Sequence, residues 1–165
     1  MHQDAWTPSC PQQPDATNDF LVQHVTLLCR SHQQLTGRLL QQPAMDASAA
    51  AHYLWQAPFV LLSHDDSADH RFTYANRCAL QLFEMNWPEI IGMPSHYSAE
   101  ADHRDARERM LEQVNRRGYV DNYAGTRISK SGRRFVIENA VVWNMLNDSG
   151  AVCGQAAMFR HWHYL

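Results

Sequence analysis

Several groups of residues in this sequence carry side chains suited to chemistry. Ser63-His64-Asp65-Asp66 places a hydroxyl, an imidazole and two carboxylates in succession, the side chains of nucleophilic catalysis. His161 and His163 stand one residue apart, so on a strand both imidazoles would share a face, as two zinc ligands can. Cys10, Cys29, Cys78 and Cys153 supply four thiols, and ten histidines are scattered along the chain. Spacing alone makes none of these a site. A triad needs its three groups to converge, whereas neighbours on a strand point to opposite faces. The histidine pair needs a strand reaching the end of the chain; a frayed, solvated terminus is the alternative. The cysteines include no C-x-x-C pair, and free thiols in a reducing, cytoplasmic compartment are expected. No G-x-S-x-G, P-loop, G-x-G-x-x-G or H-E-x-x-H occurs.

The elements that would position these groups follow from period and punctuation. Residues 1–17, with three prolines and no periodicity, read as a flexible arm. Asn18 or Asp19 can cap a helix on which Leu21, Val25, Leu28, His32, Leu35 and Leu39 recur at spacings of four and three. That stripe either lies on its own domain or pairs with a second copy; a homodimer through this helix is the expectation carried forward. A second helix over Ala47–Gln56 completes a helical segment spanning 18–56. The compact domain, 57–165, opens with two short strands, Phe59–Ser63 and Arg71–Ala75. Asn76 caps a helix carrying Ala79, Leu80, Leu82 and Phe83; Trp87-Pro88 starts a turn that Gly92 ends, and Ala99–Arg117 is mainly helical. Strand periods then take over. Tyr123–Ile128 and Arg133–Met145 flank Ser129-Lys130-Ser131-Gly132, and a second hairpin leads into Ala151–Trp162. The long strand sets Phe135, Ile137, Val141 and Trp143 on one face and Val136, Ala140 and Val142 on the other. Both faces are apolar, so both are covered.

Composition bounds the function classes. The chain has 165 residues, a net charge of −3 and 45% hydrophobic residues. It has no apolar run near the roughly 20 residues of a spanning helix, and no basic-then-apolar leader. Its charge gives no general attraction to nucleic acid. Strands grouped apart from helices argue for an α+β fold: a five-stranded antiparallel sheet, short helices on one face and an amphipathic N-terminal helix.

Local motifs add a resemblance. Tyr74-Ala75-Asn76-Arg77-Cys78-Ala79-Leu80 with Leu82-Phe83, Glu89-Ile90-Ile91-Gly92-Met93-Pro94, Arg127–Phe135 and Asp148–Gly154 resemble in order the signatures of PAS sensor domains. His24–Leu28, Leu35–Arg38, Val60–His64, Gly132–Ala140, Val142-Trp143-Asn144 and Gly154–Ala157 resemble the PAS-related MEKHLA family, as a stand-alone bacterial type, over roughly residues 20–162. The resemblance implies a PAS-like sensory and signalling module that is not an enzyme and binds a small molecule or a partner protein. Its cofactor is unknown. The cysteine motif of flavin-binding sensors is absent, although Gln155 stands on the last strand, as does their flavin-contacting glutamine. His96 and His103 lie in the helical segment from which haem-binding PAS domains take their ligand, but in no matching motif. Between helices and sheet, Tyr74, His96, Tyr97, Asn139, Trp143 and Gln155 are the candidate ligand-binding residues. Ordinary core is the competing role for each, with Asn76 as a cap and Glu138 paired to Arg127 or Arg133. An α+β enzyme using a His/acid pair, or a ligand-free dimerising adaptor, is the alternative. The length leaves no space for an output domain, so an output partner in trans is expected.

Overall fold

The computed structural model describes residues 11–99 and 104–165. The Asp15 carboxylate accepts from Thr17 N (2.8 Å) and Asn18 N (3.3 Å), and the Asn18 side chain returns a bond to Asp15 N. This capping box starts a 3-10 turn, Ala16–Leu21, so the cap is Asp15 and not Asn18 or Asp19. Asp19, Phe20 and Leu21 then take left-handed φ values of 50–56°. That conformation costs about 1–2 kcal/mol per residue, and it is held by Ser48 Oγ donating to Asp19 and by Phe20 stacked on His52. Of the segment read as an arm, residues 11–14 lie on the domain: Trp87 Nε1 donates to Pro11 O at 2.7 Å, and Pro14 is buried.

Helix α1, Val22–Thr36, ends at Gly37 with φ +73°. Leu39 therefore falls beyond it and is 42% exposed. Val25, Leu28 and His32 are buried against the chain's own sheet, beside α2, Ala47–Gln56. The apolar stripe is occupied within the chain. The stripe expected to meet a second copy thus covers the chain's own sheet, the other of the two placements the spacing allowed.

The strands are β1 (Val60–Asp65), β2 (Phe72–Ala75), β3 (Tyr119–Ile128), β4 (Arg134–Leu146), β5 (Val152–Phe159) and β6 (His161–Tyr164). They form an antiparallel sheet in the order β2-β1-β5-β4-β3, with β6 also on β4. The strand expected over Ala151–Trp162 is broken at Arg160, so β5 pairs with Val141–Leu146 and β6 with Phe135–Glu138. Between β2 and β3 lie α3 (Arg77–Phe83), α4 (Trp87–Ile90), a 3-10 turn at Ser95–Ser98, and α5 (Arg104–Arg117), which Gly118 ends at φ +90°.

A bulge changes which residues of β4 share a face. Asn139 has φ +51°, and the register runs from Gly125↔Ile137 to Tyr123↔Ala140, one extra residue on β4. An inserted residue flips every later side chain. Phe135, Ile137, Ala140 and Val142 consequently face the α3–α5 side, while Val141, Trp143 and Met145 face α1. Strict alternation had placed Ala140 and Val142 opposite Phe135.

Two residues tie the layers together. Asn76 caps α3 through Ala79 N, accepts from Leu61 N, and donates to Leu54 O and Phe59 O, all between 2.8 and 3.1 Å. Gly154 lets β5 approach β1: a Cβ there would stand 2.3 Å from His64 O.

Candidate functional site

On the α3–α5 side, α5 and the Ser95–Ser98 turn stand off the sheet and leave a cavity of about 60 Å³. Its apolar wall comes from Leu62, Phe72, Ile137, Val142, Ala157 and Phe159 on the strands and Met110 and Leu111 on α5. Its polar groups are His64, Ser95, Arg107, Tyr123, Arg127 and Gln155. The volume is small against the roughly 300–1,000 Å³ of sites for drug-sized ligands, and holds on the order of four water-sized atoms.

The charges in this wall are unusual. Arg107 is 4% exposed and Arg127 7%. Arg107 donates to Ser95 Oγ and, at 3.1 Å, to the half-exposed carboxylate of Glu108. Arg127 donates to Thr126 O (2.9 Å) and Tyr123 Oη (3.1 Å), both neutral, and has no carboxylate partner among the described residues. Burial, with Arg127 nearby, pulls Arg107 down to about 10, which leaves it cationic at neutral pH. Burial also pulls His64 down to about 4, and the charges of Arg107 and His70 press the same way, so its imidazole is neutral. Gln155 donates to Asn115 Oδ1 (3.1 Å) and Asn144 Oδ1 (3.3 Å), while its buried Oε1 has no partner among the described residues.

Of the six residues expected to line a ligand site, Gln155 is on this wall. Tyr74 and Trp143 are fully buried on the opposite face, in the cluster with Val25 and Leu28, because the Asn139 bulge turns Trp143 toward α1. Asn139 is exposed at that bulge. The His96 and Tyr97 rings lean on each other, tilted by 44° with centroids 4.3 Å apart, on the outside of the 3-10 turn, with Tyr97 55% exposed. It is Ser95 and Ser98 of that turn that face inward. His103 lies outside the described residues.

The other candidates also resolve. Ser63 and His64 point to opposite faces: Ser63 Oγ meets His24 Nε2 (2.9 Å) and Thr73 Oγ1 (2.8 Å), while His64 Nδ1 bonds Asp65 O. The Asp65 carboxylate is taken by Ser67 and by Arg71 N. His161 and His163 are ordered on β6, not frayed, and His163 pairs with Glu138. Glu138 is therefore not the partner of Arg127 or Arg133; Arg133 lies over the Tyr164 ring. Among the described residues no three His, Cys, Asp or Glu side chains gather to hold a metal, and no helix is long and apolar enough to cross a membrane.

Sequence reasoning passed over Arg107 and Arg127. A signal existed: Arg107 is in step with Met110, Leu111 and Val114 at helical spacing, so it shares the inward stripe of α5. Arg127 shares a strand face with Tyr123.

The MEKHLA domain model matches residues 22–164 of the chain. The protein belongs to the MEKHLA family. Curated relatives of this MEKHLA chain include the rice homeobox-leucine zipper protein HOX9 (Oryza sativa subsp. indica), 26% identical over 139 residues, which are 84% of this chain and 16% of that protein. Homeobox-leucine zipper protein ATHB-14 of Arabidopsis thaliana is 26% identical over 161 residues, 95% of this chain and 18% of that protein. The MEKHLA chain thus spans less than a fifth of the curated relatives it matches. Solved structures with its fold include a PAS domain from Colwellia psychrerythraea (TM-score 0.59, 13% identity, 70% of this chain and 92% of that one). A fungal light-oxygen-voltage photoreceptor domain gives a TM-score of 0.57 at 17% identity, covering 81% and 88%. An RNA-binding light-oxygen-voltage receptor gives 0.60 at 16%, covering 72% and 34%. At these identities the likeness shows a PAS-type fold.

Proposed function

We propose that this MEKHLA domain is a non-catalytic sensory module that binds a small molecule in the cavity beneath α5 and signals to a partner protein through α1. The observation that carries this reading is the alternation along the central strands. Gln155 and Val142 touch the cavity, and their chain neighbours Ala156 and Trp143 touch the α1 cluster. A ligand that favours one packing of the cavity wall therefore biases the packing of α1, by as much as its affinity differs between the two arrangements. Against a catalytic reading stands the partnering of His64, the cavity's imidazole, with a backbone carbonyl and not a carboxylate. The thiols of Cys29, Cys78 and Cys153 are free, which suits a reducing, cytoplasmic setting.

Native mass spectrometry of protein purified from its own host, paired with amide exchange, tests the reading. A retained small molecule adds mass that denaturation releases, and Ala157→Phe, which fills the cavity, abolishes it and alters exchange in α1. A protein that carries no added mass, and whose α1 amides exchange alike in wild type and Ala157→Phe, overturns the proposal.

A further inference from the structure

Arg107 and Arg127 present a physical problem that the chain leaves open. A cation taken out of water costs several kcal/mol unless it is paired. These two guanidinium groups line one small cavity, and the described residues offer them a single carboxylate, Glu108, which is half in solvent and bonds Arg107 alone. Like charges that share a low-dielectric site also repel. The wall contributes further donors, Ser95 Oγ and Tyr123 Oη, and among the described residues no acidic side chain. Together these features describe an anion site: two buried cations, hydroxyl donors and a largely apolar lining.

The size of the cavity narrows the class. About 60 Å³ holds on the order of four non-hydrogen atoms. A nucleotide, a flavin or a sugar phosphate does not fit. A planar oxyanion of the size of acetate, hydrogencarbonate or nitrate does, and its flat, two-oxygen edge suits the guanidinium fork. We propose that the cavity binds a small planar oxyanion between Arg107 and Arg127. This rests on the reading of the cavity as a ligand site and names the chemistry of its ligand.

The geometry assigns the two arginines different tasks. Arg107 is anchored by Glu108 and Ser95, so it serves as the fixed wall. Arg127 has only neutral acceptors and lies at the end of β3, just before the hairpin, so its guanidinium is free to exchange a carbonyl for an anion. Ligation would then draw on β3 and β4, the strands that border the cavity and continue toward the α1 side.

Titration of the full chain with acetate, nitrate, hydrogencarbonate and neutral acetamide, at constant ionic strength with chloride as the background, tests this by NMR. Acetate or another planar oxyanion should saturate and shift the amide signals of Tyr123, Arg127, Gln155 and Ala157. Acetamide, of the same shape but uncharged, should bind at least tenfold more weakly. Arg127→Gln should weaken oxyanion binding at least tenfold, and Arg127→Lys should retain part of it. Among the described residues Arg127 donates to neutral groups alone, so its variants are expected to fold, which the dispersion of their spectra checks. If acetamide perturbs the cavity as strongly as acetate, or Arg127→Gln binds acetate like wild type, the anion assignment is wrong and the cavity reading stands. If no probe shifts any cavity signal, both fall. Which of the oxyanions binds most tightly separates a carboxylate ligand from an inorganic one.

Discussion

Trp143 stands among Val25, Leu28 and Met145 with its ring edge-on to His32; one residue earlier on the same strand, Val142 borders a cavity walled by two arginines. The two faces of this sheet share strands, backbone hydrogen bonds and solvent, so their difference lies in what covers them. The α1 face meets a helix whose stripe of Val25, Leu28 and Cys29 lies flat against it. The other face meets α5, a helix with three basic residues in its first six and Arg107 on its inward stripe. A well-packed core and a cavity walled by charge sit back to back, separated by one layer of backbone.

The largest expected effect tests the packed face. Trp143→Ala removes a fully buried ring and leaves a void that the neighbouring strands cannot close. A loss of about 3–5 kcal/mol in urea denaturation is expected. A loss below about 2 kcal/mol would mean that α1 collapses into the space and that the face is softer than its packing indicates.

Next comes pH, because both faces shield histidines: His24 and His32 behind α1, His64 in the cavity, and burial disfavours the charged form of all three. Burial pulls His24, behind α1, and His64, in the cavity, each from 6.5 to about 4. The folded values lie below the unfolded value, so between pH 6.5 and 4 the unfolded chain binds protons that the folded chain refuses. Stability therefore falls as pH drops through that window, by on the order of 3 kcal/mol per histidine, and levels off below it. His24→Gln and His64→Gln should each flatten the fall of the urea midpoint. An oxyanion in the cavity offsets the charges of Arg107 and His70 that press on His64. Nitrate, which stays ionised across this window, should therefore soften the slope in His24→Gln and leave it unchanged in His64→Gln; equal effects in the two would break the assignment of His64 to the anion site.

A smaller contrast uses adjacent alanines on β5. Ala156 is buried in the α1 cluster and only borders the cavity, while Ala157 lies on the cavity wall and outside that cluster. Ala156→Val overpacks and is expected to cost about 1–3 kcal/mol. Ala157→Val fills empty space and should stay within about 1 kcal/mol of wild type while weakening acetate binding. Equal costs at the two positions would mean that the cavity closes in solution.

The element order, the Ala47–Gln56 helix and the Asn76 cap could be read from local signals, because caps, hairpin turns and apolar periods act over a few residues. The site could not be read this way. Counting along β4 in twos puts Trp143 on the face of Phe135, and one left-handed residue, Asn139, reverses that count. Nothing in the residue type of Asn139 distinguishes a bulge from a turn. Leu39 failed for the opposite reason: the heptad spacing continues past Gly37, where the helix ends. Arg107 was legible as a stripe position but was passed over, because an arginine on a charged helix is read as solvated until the chain opposite it is known.

The smallest stability effect is the most informative about the cavity. Arg127→Met keeps most of the side-chain volume and removes a buried cation that no described carboxylate balances. Replacing such a charge by an apolar group of similar size is often neutral or stabilising, so without anion the variant should lie within about 1 kcal/mol of wild type, or above it. With acetate at ten times its dissociation constant, wild type gains about 1.4 kcal/mol by mass action, and Arg127→Met should gain almost nothing. A variant that loses more than about 3 kcal/mol without anion would show that Arg127 holds the hairpin of β3 and β4 together through Tyr123 and Thr126. The cavity would then be a by-product of that structural bond and not a place kept open for a ligand.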